Sequence, residues 1–341
     1  MSRRPASEAR RGERGAALLT AMIIVALVAT LAGSMVWQQW RAIQVEAAER
    51  ARTQSAWILS GALDWARLIL REDAKNGAVT GGNIDHLGEP WAVPLAEARL
   101  STFLAADKDN TDDGPDAFLS GAITDAMARY NLTNLIDATG DIDKRELATL
   151  EVLCTTVGVS ADVASRIAIG LRDAAPPVPA APGASAPTFT RPADPPLMPQ
   201  SASQLGWLGI DAESLRALEP YIVLIPDTLR FPNSALVNAN TAPREVLVAV
   251  VDKLDLATAE RIVQARQRTP LKSVTDLAAL APGVPAASLN RLAFGSNYFH
   301  VRGRLRLGDV VLEQRSLVKR NGPTVVVLQR ERVSAREQAG S

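Results

Sequence analysis

Gly15-Ala-Ala-Leu-Leu-Thr-Ala-Met-Ile-Ile-Val-Ala-Leu-Val-Ala-Thr-Leu-Ala-Gly-Ser-Met-Val-Trp-Gln-Gln-Trp40 runs 26 residues without a charge. At 1.5 Å per helical residue, about 20 residues cross a hydrocarbon core of ~30 Å, so this stretch is long enough to span one. Before it stand Arg3, Arg4, Arg10, Arg11 and Arg14 against Glu8 and Glu13, and no further cation follows until Arg41. That asymmetry places the N-terminus in the cytoplasm and the rest of the chain across the membrane. A secretory signal peptide would carry an apolar region of ~7–15 residues ending in an A-x-A-like site. This run is longer and lacks that ending. Pro5 and Ala6 after Arg3-Arg4 also argue against a twin-arginine signal.

From Arg41 the pattern turns amphipathic without a break. Ile43, Ala47, Ala51, Ile58, Ala62, Trp65 and Ile69 recur at helical spacing, while Arg41, Glu46, Glu49, Arg50, Arg52 and Arg67 fall largely on the other face. No proline lies between Pro5 and Pro90, and the first strong stops are Asn76-Gly77 and Gly81-Gly82. The sequence predicts one continuous helix from about Ala16 to Lys75, transmembrane over 16–40 and docked on a soluble domain beyond.

The chain has 341 residues, room for about two compact units and no more than three. Apolar residues at 47% are enough for real cores. Its 37 Lys+Arg balance 37 Asp+Glu, so no excess positive charge points to a dedicated nucleic-acid binder. One cysteine, Cys154, excludes an internal disulfide and a CxxC pair, and reads as a small buried hydrophobe. His86 and His300, the two histidines, sit near no G-x-S-x-G elbow, so a non-enzyme is expected.

In the soluble part, Trp91–Ala105 and Ala117–Ile123 read as strands joined by the loop Ala106–Asp116. Asp143-x-x-Glu146 has capping-box spacing, and Ser160 could cap Val163–Leu171. Ala174–Gln200 holds nine of the 21 prolines and reads as a semi-rigid linker or loop. Asp211 opens another helix. Tyr221–Ile225 reads as a buried strand or helix end. Thr241 can cap a helix containing Val246–Val251 with Pro243 in its first turn. Leu256–Arg268 and Ser273–Leu280 follow, the latter with the box Ser273-x-x-Asp276. Asn297–Leu307, Val310–Lys319 and Thr324–Val333 form an antiparallel meander.

Two sharper readings need weighing. The acidic run Asp107–Asp116 invites calcium, with Asp107, Asp109 and Asp113 as candidate ligands. In an EF-hand alignment Asp109, Thr111, Asp113 and Gly114 fit, but the twelfth position is Ser120, so a solvated loop is favoured. Thr258–Leu292 resembles a helix-hairpin-helix whose Arg261, Arg266, Arg268 and Lys272 could contact phosphates. Zero net charge and a single hairpin glycine favour a packing unit over DNA binding, which stays as the alternative function.

Arg14-Gly15 ahead of Ala16-Ala-Leu-Leu-Thr-Ala-Met-Ile-Ile resembles a type IV prepilin-like leader. The resemblance implies that a prepilin peptidase cuts between Gly15 and Ala16 and methylates Ala16. Most members carry Glu at the fifth mature position, and here that residue is Thr20. Among pseudopilins, the K-type minor pseudopilin of type II secretion typically lacks the acid. His86-Leu-Gly-Glu-Pro-Trp91 resembles that family's Gly-Glu-x-Trp stretch through Glu89 and Trp91. Ser120–Leu135 resembles its second block, with Asp125, Asn131 and Asn134. Val237–Leu247 resembles its third, with Asn238, Asn240, Thr241 and Pro243.

The K-type resemblance implies an α+β fold: a long N-terminal helix, an antiparallel pilin-like sheet and a large inserted α-helical domain. The expected division is a leader at 1–15, helix at 16–75, first β part at 76–129, insertion at 130–295 and second β part with tail at 296–341. Within the insertion lie the Pro/Ala-rich loop 174–200 and the hairpin-like region 255–293. The implied role is a tip subunit of the secretion pseudopilus, single-pass in the bacterial inner membrane with a periplasmic C-terminal domain. Implied partners are the I, J and H minor types, the major pseudopilin, the prepilin peptidase and the inner-membrane secretion platform. Calcium is the implied cofactor, although the family's acidic insertion has no counterpart here.

Overall fold

The computed structural model describes residues 9–80, 83–100, 117–177, 192–229, 236–307 and 310–336. The chain divides into two units, Met1–Ile58 and Leu59–Ser341. Helix α1 (Ala9–Thr80) is unbroken for 72 residues, as the absence of proline predicts. Its most apolar 18-residue window, near the N-terminus, has a mean hydropathy of 2.4. Leu19, Ile23, Leu27 and Leu31 expose more than half of their surface.

After α1 come strands β1 (Leu95–Arg99) and β2 (Ala117–Asp125). The next stretch holds β3 (Tyr130–Asn131), α2 (Lys144–Thr156), α3 (Asp162–Ala174), α4 (Ala212–Leu218) and β4 (Ile222–Val223). It continues through β5 (Val237–Asn238), α5 (Arg244–Val250), α6 (Leu256–Arg268), α7 (Val274–Leu280), α8 (Ala286–Leu289) and β6 (Leu292–Ala293). The chain then makes β7 (Tyr298–Leu307), β8 (Val310–Asn321) and β9 (Thr324–Arg336). One antiparallel sheet has the order β1-β2-β7-β8-β9. Strands far apart in sequence therefore pair, β2 with β7 from Ala117↔Leu307 to Asp125↔Phe299. The stretch between them is the α-helical insertion, and the short parallel pairs β3–β4 and β5–β6 tie it internally. The class is α+β with a long apolar helix. The β8–β9 turn is the two-residue loop Gly322-Pro323, where Gly322 takes φ 54°, open to glycine at little steric cost.

Within the second unit α1 lies against the sheet through Leu63, Ala66 and Leu70. These meet Trp91, Ile123, Phe299, Val301, Val318 and Val325. Leu59, Leu63, Ala66, Leu70 and Ala74 form the buried stripe, at spacings of four, three, four and four. This corrects the expected face. The stripe through Ile58, Ala62, Trp65 and Ile69 is rotated one residue away, and Trp65 stays 44% exposed. The helix carries two neighbouring apolar stripes, and the narrower side chains face the sheet. Gly303 on β7 lets Leu59 approach so closely that an added Cβ would stand 3.3 Å from its Cδ2. A larger core lies inside the insertion, where Leu132, Leu153, Ile167, Leu205, Leu247 and Ile262 are almost wholly buried.

Several local readings need correction. Trp91 belongs to the 3-10 turn Pro90–Ala92, and the strand starts only at Leu95. Pro94, lacking an N–H, delays it. Residues 101–116 lie outside the described residues. Ser160 does not cap α3: its hydroxyl bonds the Asp162 carboxylate, and Ala161 holds the cap position. Asp143 caps α2 by accepting from Arg145 N and Glu146 N. Glu146, instead of closing the box, bonds Arg291 and the Tyr130 hydroxyl. At α7, by contrast, both halves of the Ser273–Asp276 box form.

Candidate functional site

Gly15, Ala16 and Thr20 all lie within α1. The Thr20 hydroxyl donates to the Ala16 carbonyl at 2.9 Å, one turn back in its own helix. The fifth residue after Gly15 thus brings no charge into the apolar segment and leaves no unmet donor. A helix of this length and hydropathy fits a single membrane pass.

In the second unit the motif residues converge on a buried polar junction. Asp125, at the end of β2, accepts on Oδ2 from Ser296 Oγ at 2.5 Å, Thr241 Oγ1 at 2.6 Å and Asn238 Nδ2 at 3.0 Å. Its Oδ1 takes the Met127 amide at 2.7 Å. Burial raises its pKa, while these donors pull it the other way. Asn238 also donates to the Asp85 carbonyl and accepts from Asn240 N. Asn240 then bridges the Leu271 backbone through both ends of its amide. Thr241 was expected as a helix cap. Pro243 holds that position at α5, and the Thr241 hydroxyl goes to Asp125 instead.

Arg320, at the end of β8, is the cation of this junction. It is 1% exposed and donates to Asp73 Oδ2 at 2.6 Å, both oxygens of Asp85 at 2.6 and 2.7 Å, and the Ser296 carbonyl at 2.7 Å. Its guanidinium lies 4.8 Å over the Phe299 ring. Asp85 Oδ2 also receives the Ser296 amide at 2.7 Å. Gly295 is required beside it, since a Cβ there would stand 2.1 Å from the Asn83 carbonyl oxygen. Residues from α1, the loop after it, β2, the insertion and β8 are thereby fixed to one another.

Glu89 and Trp91 flank this junction. Glu89 Oε2 accepts from Trp91 Nε1 at 2.7 Å and His86 N at 2.9 Å. Burial pushes its pKa up to about 7. Trp91 is buried edge-on against Phe299, with centroids 5.2 Å apart. Asn131 donates to Thr228 Oγ1 at 2.7 Å and accepts from Ile225 N, tying β3 to the segment after β4. Asn134 Oδ1 is buried without a partner among the described residues.

Ligand atoms of Asp73, Asp85 and Glu89 lie within 4.8 Å of one another, a spacing a cation could use. Arg320 already supplies the positive charge to both aspartates. The calcium candidates Asp107, Asp109 and Asp113 lie outside the described residues. The hairpin-like region is built as α6 and α7, but Arg266 is no phosphate ligand. It is buried and donates to the Ala239 carbonyl at 2.5 Å, and burial lowers its pKa to about 10. Arg261 bonds Thr258, and Cys154 is fully buried.

Sequence reasoning missed Asp73, Asp85, Ser296 and Arg320. Only Arg320 gave a signal, as a charge two positions after the buried Val318 and so on the same face near the end of a strand.

Family models described as type II secretion system protein K match residues 128–227 and 237–294. Together they cover the Asn131, Asn238 and Asn240 blocks and most of the insertion. Both halves of the insertion thus match the type II secretion system protein K family. A protein K from Pseudomonas aeruginosa is 28% identical over 88% of this chain and 86% of its own length. One from Pectobacterium carotovorum is 27% identical over 94% and 97%, and one from Klebsiella pneumoniae 29% identical over 93% and 96%. A chain of the GspK-GspI-GspJ complex from the enterotoxigenic Escherichia coli type 2 secretion system shares the fold, with a TM-score of 0.59 and 21% identity. That match covers 84% of this chain and 99% of the other. In this chain the polar junction sits where the helical insertion leaves β2 and returns to β7.

Proposed function

We propose that this K-type minor pseudopilin occupies the tip of the type II secretion pseudopilus, where it starts or caps a short periplasmic fibre that moves folded proteins outward. In this reading it is a non-enzymatic subunit, cut after Gly15, methylated at Ala16 and held in the inner membrane with its C-terminal domain in the periplasm. One observation carries the reading: Thr20, bonded to its own helix at 2.9 Å, stands where a fibre subunit would place a carboxylate. A charge at that depth is costly and is kept only for a partner. The amine of the next subunit toward the tip is the partner such an acid would meet. A terminal subunit has none above it.

The complex of GspK with GspI and GspJ supports the I and J types as direct partners. The H type, the major pseudopilin, the prepilin peptidase and the inner-membrane platform follow from the assembly reading. Trp65 and Leu68, exposed on α1, offer a partner helix an apolar surface, and the bulk of the insertion would obstruct a further subunit. Co-expression of the full chain with its I-type and J-type counterparts, followed by detergent extraction and affinity capture, tests this. A ternary complex is expected, and Thr20→Glu should keep that complex while lowering secretion several-fold. Failure to capture either partner would contradict the proposal.

A further inference from the structure

Among the described residues, the insertion covers only part of the sheet face turned away from α1. Met127, Val223, Ile225, Tyr298 and Leu317 make a small apolar contact there. Beside it opens a cavity of about 750 Å³. One wall is the sheet, with Thr124, His300, Arg302 and Arg315, and the other is Gln200–Gln204 with the end of α4. The Gln329 amide crosses between the walls to the Gln200 carbonyl at 2.6 Å.

The lining is unbalanced in charge. Among the described residues, Arg129, Arg216, Arg302, Arg315 and Arg330 face only Glu219 and Glu331. Arg302 and Arg315 are directly opposite on β7 and β8, an arrangement of like charges that destabilises a sheet. One carboxylate from outside the lining, Glu313, serves both, at 3.4 and 2.6 Å. Arg129 is the clearer case. It is half-buried, and its guanidinium has no hydrogen-bond or ion-pair partner among the described residues. Burial lowers its pKa, and Glu219 offsets that only from a distance. His300 Nε2 in the same wall is also buried and unpartnered. The buried His300 nitrogen costs stability while unmet, and Arg129 has only the distant Glu219 as a counter-charge among the described residues.

We propose that this cleft receives an acidic polypeptide segment of a partner protein, its carboxylates seated on Arg129 and on the Arg302–Arg315 pair. The arginines come from five separate segments around an open groove, which suits successive carboxylates along a chain better than one small anion. Their planar donor forks match carboxylates two bonds at a time. The inference goes beyond the tip assignment and does not depend on it.

Fluorescence anisotropy tests it, with full-length protein in detergent micelles and a labelled oligoglutamate peptide at ~100 mM salt, where surface attraction is screened beyond about 10 Å. Saturable binding is expected, weakened about tenfold or more in Arg129→Gln, a loss well outside error. Thr124→Glu adds a carboxylate at an exposed floor position, removes no buried group, and should abolish binding. Arg166→Gln, whose side chain pairs with Asp162 on α3, should bind like the unaltered chain. No saturable binding, equal affinity in Arg129→Gln and Thr124→Glu, or displacement of the peptide by millimolar inorganic phosphate would each overturn the proposal.

Discussion

Two arginines on opposite sides of the sheet have contrasting surroundings. Arg320 is buried with four acceptor atoms on its terminal nitrogens, and only its Nε lacks a partner. Arg129 is half-buried with none among the described residues. The first arrangement locks: removing the cation would strand two carboxylates, so the junction holds the insertion in one position on the sheet. The second leaves a charge at a cavity wall with only the distant Glu219 to balance it, so an anion from outside can supply the missing partner.

The sharpest way to break the contrast is Arg320→Ala. It leaves Asp85 and Asp73 without their cation, and unfolding of the full chain in urea should show a loss of about 3–5 kcal/mol. A loss under 1 kcal/mol would mean that the junction is ornamental. Gly295→Ala attacks the same junction through the backbone. Its Cβ would collide with the Asn83 carbonyl, so the loop must shift, and a loss of about 1–3 kcal/mol is expected in the same assay.

The third test is pH. Burial raises the pKa of Glu89 from 4.5 to about 7, so the folded chain favours its protonated form. Stability from this group is full below pH 4.5 and is lost as pH climbs to about 7. At about 1.4 kcal/mol per pKa unit the full shift would be worth about 3.5 kcal/mol, and solvent around this half-buried group reduces it to on the order of 1–3 kcal/mol. Glu89→Gln should flatten melting temperature across that window, and an unaltered slope would assign the effect elsewhere. The smallest effect belongs to the other side of the comparison. Arg129→Gln, without a partner present, should leave stability within about 1 kcal/mol or raise it, because an unmet charge is removed. A loss as large as that of Arg320→Ala would show that Arg129 is structural.

The sequence made the long helix and the meander legible because both rest on local periodicity and on the absence of proline within their elements, whereas the split sheet was legible only through the K-type resemblance. The rotation of the helix was not legible. Two apolar stripes lie side by side on α1, and the choice between Leu63 and Trp65 is made by the sheet it meets, where Gly303 leaves room for Leu59 on the buried stripe. The junction was half visible. Asp125, Asn238 and Thr241 stood out as motif residues, but Asp85 and Arg320 are 235 positions apart and form their pair only once the sheet closes. Thr241 misled for a related reason: capping is a local signal, and a buried carboxylate 116 residues away took the hydroxyl. The cleft was only partly legible: Arg302, Arg315 and Arg330 lie in the arginine-rich strands of the C-terminal meander, but nothing in the sequence brings Arg129 and Arg216 beside them.

The account depends most on α1 remaining in the mature protein from Ala16 onward, with Thr20 in the fifth place. Mass spectrometry of the N-terminal peptide from the chain matured in its own host tests this most directly. The expected species begins with N-methylated Ala16. An intact Met1, or a start beyond Ser34, would contradict it.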